Sequence, residues 1–288
     1  MTRSRIWFGL GTAVLAGHSL SPLPATAAEA TARAEPPRTD GPVLVFDAGR
    51  SQRAAMKAFS AQGGEGGEGG EGGVDPGLAA EDPVAYGVSL AVIEAHYLAG
   101  LAAYEAGETE EGAEMFAHGY SEIYADMEEV YLARGVDGLE GALLDAVAKA
   151  GDGAPGEEVS EAAQHVLALL EAAEATAPAS DDALRTEAAI IVELIDRTAA
   201  QYLSARTGGS EEAFLDGYGF AAAAQRRADQ HLAAIGERSP ALAESLSAAL
   251  ALGREAFPTP LPVADPALEP GVFLAMATQA RFALNALH

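Results

Sequence analysis

Cysteine is absent from the 288 residues, tryptophan occurs once, at Trp7, and lysine is confined to Lys57 and Lys149. The lack of cysteine excludes disulfides, thiolate metal sites and cysteine nucleophiles. Positive charge is scarce as well: 17 Lys and Arg stand against 43 Asp and Glu, a formal charge of −26. Phosphates would be repelled by this charge and no basic stripe offsets it, which argues against nucleic acid as a partner. Hydrolytic signatures are missing too, with no Gly-x-Ser-x-Gly elbow, no His-Glu-x-x-His and no phosphate-binding loop. The Gly-x-His-x-x-Glu motif of the imelysin-like iron-associated proteins is also absent. What the chain does have is 49% hydrophobic residues, enough to build a core in one large domain or two small ones.

Residues 1–27 read as a secretory signal peptide. Arg3 and Arg5 precede an apolar stretch over residues 6–16, and Pro22 and Pro24 lead into the small-residue site Ala25-Thr26-Ala27. The apolar run falls well short of the roughly 20 residues a membrane-spanning helix needs. No cysteine follows the site to carry a lipid, and no adjacent arginines mark a twin-arginine route. With arginine favoured over lysine and much Ala and Gly, the composition is that of a GC-rich bacterial gene. The expectation is a soluble bacterial protein, periplasmic or secreted, with no membrane span.

Residues 28–78 read as a flexible N-terminal region. An Ala-, Pro- and charge-rich lead is followed by a short apolar run, Val43 to Phe46, and then by Gly-Gly-Glu repeats over 63–73. Glycine maximises backbone freedom and the glutamates repel one another, so the repeats predict an extended tether. They do not match the Gly-Gly-x-Gly-x-Asp spacing of calcium-binding repeats.

Residues 79–288 read as an all-α domain of about eight helices. Asp82 is an N-cap with Pro83 behind it, and Gly107 is a C-terminal stop, predicting a helix over 83–106. A second is expected over 109–134, with Glu110 and Glu111 in its first turn, where the helix dipole favours acids. Shorter helices follow near 138–150 and 157–176. Further starts stand at Ser180-Asp181-Asp182, Ser210-Glu211-Glu212 and Ser239-Pro240, and a last helix covers 271–287. Period-2 alternation, the mark of strands, is nearly missing after residue 75.

The chain also matches itself at an offset of 98 residues. Tyr104, Phe116, Gly119 and Tyr120 correspond to Tyr202, Phe214, Gly217 and Tyr218, with His118 opposite Asp216. This predicts a duplicated helical hairpin. Tyr97, Tyr104, Gly107, Ala113 and Phe116 also resemble the tetratricopeptide pattern, although the Phe comes one residue early and no 34-residue array follows. That resemblance implies a helical module that binds another exported protein.

Candidate chemistry gathers at Glu94, His96, His118 and Glu122. His118 and Glu122 are four residues apart, the spacing that offers two ligands to one metal from one helix face. In an antiparallel hairpin, His96 comes level with His118. Imidazole with carboxylate suits a transition metal such as iron, copper or zinc. Tyr120 and Tyr124 are candidates for phenolate ligation or for lining a cofactor pocket. A straight-helix projection opposes this. It puts His118 about 200° and Glu122 about 240° from Phe116, off the face formed by Phe116, Tyr120, Ile123 and Met127, so a metal site needs a second layer over them. His165 and His231 read as packed helical residues, and the pair Arg226-Arg227 as a partner for an acidic neighbour. No nucleophile–base pairing is visible. The expectation is a non-catalytic exported protein that binds a metal ion or small ligand, with the interaction module as the alternative.

Overall fold

A computed structural model describes residues 73–208, 211–263 and 266–287. The signal peptide and most of the N-terminal region read from the sequence lie outside them. Among the described residues every regular element is helical. They are α1 (Pro76–Ala79), α2 (Pro83–Ala106), α3 (Thr109–His118), a π-helical turn (Gly119–Tyr124), α4 (Ala125–Ala133), α5 (Leu139–Gly151), α6 (Gly156–Glu174), α7 (Ala183–Arg206), α8 (Glu211–Arg238), α9 (Pro240–Ala256) and α10 (Pro270–Asn285).

Local chemistry accounts for the ends. The Asp82 carboxylate accepts from the Ala85 N–H at 2.7 Å, and that of Asp182 from the Arg185 N–H at 3.1 Å, each satisfying a donor the helix leaves open. Pro83 and Pro240 occupy first-turn positions where no N–H is needed. Gly107 closes α2 at φ 91°, a left-handed conformation that only glycine adopts cheaply.

Helix α2 is the axis of the bundle. It is apolar nearly all round, and α3, α6, α7 and α8 pack against it. It is long and apolar enough to cross a membrane, but most of its surface is buried among these neighbours, the expected place for a helix without a polar face. Helices α2 and α3 form an antiparallel hairpin closed to short range by glycines. A Cβ on Gly112 would lie 2.9 Å from the Gly100 carbonyl oxygen, and one on Gly100 2.5 Å from Phe116. A second hairpin, α7–α8, approaches α2 as tightly, since a Cβ on Gly219 would stand 2.3 Å from the Ala95 carbonyl oxygen. These approaches bring three helices together around His96.

The segment expected as one helix over 109–134 is interrupted. The Ala125 N–H reaches back to the Tyr120 carbonyl, five residues earlier, which is the wider π turn. Buried rings of the turn and its neighbours form a ladder: Tyr120 stacks on Tyr124 at 5.5 Å, Tyr124 on Tyr131 at 5.8 Å, and Tyr131 meets the edge of Tyr86 at 5.8 Å. The Tyr131 hydroxyl donates to Ser89 Oγ at 2.9 Å, which supplies its polar end with a partner.

Candidate metal centre

His96 sits in the middle of α2 with 2% of its surface exposed. Its Nδ1 donates to the Val92 carbonyl at 2.8 Å, so in the neutral ring Nε2 carries the lone pair and is aimed outward from the helix. A backbone carbonyl orienting the far nitrogen is the arrangement that holds metal-ligating histidines in position. Across the hairpin, the His118 ring lies edge-on to that of His96 at 6.2 Å. The antiparallel register thus brings the two imidazoles to one level.

Glu122 lies between them. Its Oε2 is 3.5 Å from His96 Nε2, and its Oε1 is 3.8 Å from His118 Nδ1. Donor atoms of His96, His118 and Glu122 all fall within 4.8 Å of one another. For comparison, bonds of about 2.1 Å in a tetrahedral zinc site put neighbouring ligand atoms about 3.4 Å apart. His118 Nδ1 is buried and makes no hydrogen bond among the described residues.

Two acids from α8 complete the cluster. Asp216 Oδ1 stands 3.5 Å from His96 Nε2, and Glu212 Oε1 stands 3.4 Å from His118 Nδ1. Neither is marked by a motif, but the 98-residue offset already sets Asp216 opposite His118. Helix α8 is the second layer the helical projection demands. The projection also assumes a constant turn per residue, whereas the π turn advances less per residue and changes the phase of everything after His118.

Protonation follows from the same geometry. Burial opposes a charge on His96, yet Glu122, Asp216 and the Val92 carbonyl outweigh it and hold the pKa above the ordinary imidazole value. Burial likewise opposes the charge on Glu122, but His96 and His118 pull its carboxyl below the usual range. Below the raised pKa of His96, its proton lies at the place where the donor atoms of the triad converge.

The remaining candidates lie elsewhere. Glu94 is 3.3 Å from Arg226 on α8, and burial raises its pKa although Arg226 and Arg227 oppose this. Tyr120 and Tyr124 belong to the ring ladder, and the Tyr120 hydroxyl donates to Glu140 Oε1 at 3.4 Å. His231 is 3.4 Å from Glu187. His165 is exposed rather than packed, because the buried stripe of α6 runs through Ala162, Ala163 and Val166. The Arg226-Arg227 pair does meet acidic neighbours: Arg226 meets Glu94 and Glu171, and Arg227 meets Glu174 and Glu187.

No protein-family model matches the chain, no curated protein is significantly similar to it, and no solved structure resembles it significantly. Fold and site define a helical protein with a His/Glu triad whose geometry suits a metal ion.

Proposed function

We propose that the protein is an exported, non-catalytic binding protein that holds a divalent transition metal through His96 Nε2, His118 Nδ1 and Glu122. The observation that carries this is the convergence of three donor atoms from two helices within 4.8 Å. The Val92 carbonyl supports it by presenting His96 Nε2 as a lone-pair donor. Two neutral nitrogens with carboxylate oxygen favour zinc or iron(II) over calcium, which prefers oxygen alone. The acidic chain raises the cation concentration around the site.

Export is inferred from the signal-like pattern of residues 1–27. Duplication is inferred from the 98-residue offset, and the equivalence of His118 and Asp216 is its functional trace: both helices of the first hairpin and one of the second contribute to the same cluster. Calorimetric titration of the purified protein with Zn²⁺ tests the reading. Binding heat is expected for the native chain and should vanish in a His96→Ala, His118→Ala double variant. An unchanged signal in that variant would end the proposal.

A further inference from the structure

Beyond the triad of His96, His118 and Glu122, the cluster holds two further carboxylates, one beside each imidazole. The two oxygens of Glu122 face different imidazoles, Oε2 toward His96 and Oε1 toward His118. Each imidazole then has a second carboxylate of its own, Asp216 for His96 and Glu212 for His118. The pattern has a simple origin. Glu212 and Asp216 are spaced i,i+4 on α8, as His118 and Glu122 are across the end of α3, so the two segments present matched pairs.

We propose that the cluster forms two adjacent cation stations sharing Glu122: an inner one of His96, Glu122 and Asp216, and an outer one of His118, Glu122 and Glu212. This rests on the metal-binding reading above and extends it from one ion to two. The four nitrogen–oxygen separations, 3.4 to 3.8 Å, are each near the about 3.4 Å edge of a tetrahedral site with bonds of about 2.1 Å. Donor atoms of His96, His118 and Glu122 converge within 4.8 Å, so an ion entering either station draws the Asp216 or Glu212 carboxylate inward toward Glu122.

The stations differ in access. His96 and Asp216 are 2% and 7% exposed, whereas His118 and Glu212 are 13% and 49% exposed. The outer station exchanges with solvent, and the inner one retains its ion. An ion arriving outside binds the same carboxylate that serves the inner station. The ligand class is a divalent ion that accepts both imidazole and carboxylate, such as zinc, iron(II), manganese(II) or cobalt(II).

Equilibrium dialysis of the full chain against Co²⁺ at about 0.15 M salt, where surface charges are largely screened, tests this, with bound metal counted per chain. Two equivalents are expected. Glu212→Gln, at a half-exposed position that does not threaten folding, should remove the weaker one and leave the tighter. Asp216→Asn should weaken the tighter one by about 10-fold or more, with far-ultraviolet circular dichroism verifying that the helices persist. A single equivalent that survives Glu212→Gln overturns the two-station inference and leaves the metal-binding reading standing. A second equivalent that survives Glu212→Gln belongs to the acidic surface and also overturns the inference. No bound Co²⁺ in the native chain, or binding unchanged in the His96→Ala, His118→Ala variant, removes the underlying reading itself.

Discussion

His96 and Glu122 face each other at 3.5 Å from different helices, and each shifts the other's protonation toward the charged form. Burial of His96 alone would favour the neutral ring; Glu122 and Asp216 reverse that balance. At pH values below the raised pKa of His96, the metal-free protein carries an imidazolium where the proposed ion would sit. A cation has to displace that proton.

Metal binding should accordingly release protons and weaken as pH falls. Below the raised pKa of His96, affinity should drop roughly tenfold per pH unit for each proton displaced. Calorimetry in buffers of different ionisation enthalpy counts the protons. A heat independent of buffer at pH 6 would contradict the arrangement.

The metal-free protein should show the opposite dependence for its own stability. A raised folded-state pKa stabilises fully below the unfolded value of about 6.5, and this contribution is lost as pH rises through the folded value. Glu122, lowered, stabilises above the ordinary carboxylate value of about 4.3 and loses this as pH falls through its own lowered value. The His96 contribution is thus present at pH 6 and diminished at pH 8. Thermal melts should show it in the native chain in the presence of a chelator, and His96→Gln should abolish that component.

Gly219→Ala should destabilise the protein. Alanine normally gains up to about 1 kcal/mol over glycine within a helix, but the added Cβ would meet the Ala95 backbone at 2.3 Å. Backbone cannot swing aside as a side-chain tip can, so α8 must move off α2 at a net cost of about 1–3 kcal/mol. The displacement also draws Asp216 from His96. Urea unfolding measures the first effect, and Co²⁺ affinity the second.

The two arginines of α8 should behave differently. Arg227 is only 6% exposed and pairs with Glu174 and Glu187. Removing it takes a cation from the part-buried Glu187 and leaves the space of a buried side chain, at about 1–3 kcal/mol. Arg226 is 39% exposed, and its loss should cost less than about 1 kcal/mol. Comparing urea midpoints of Arg227→Ala and Arg226→Ala checks the order.

Much of the helical layout is legible residue by residue. Asp82 with Pro83, Asp182, Ser239 with Pro240, and Gly107 act on backbone groups a few positions away, so a linear reading locates the helices they bound. The hairpin register that levels His96 with His118 follows from a short turn and is nearly as local. The π turn is not legible, because the residues of Gly119–Tyr124 carry no signal that separates it from an ordinary helical turn. A projection at constant pitch therefore misjudges the direction of Glu122, which lies within that turn.

Sequence alone determined an acidic, cysteine-free chain with an all-α domain from residue 79 and named three donors on one hairpin, since capping, periodicity and i,i+4 spacing are short-range properties. Tertiary structure decided which acids join them. Helix α8 crosses α2 where Gly219 permits contact with Ala95, delivering Asp216 and Glu212 to the histidines, and it presents Arg226, which takes Glu94. Those choices depend on which surfaces meet across more than ninety residues of chain, a matter of packing that no local pattern encodes.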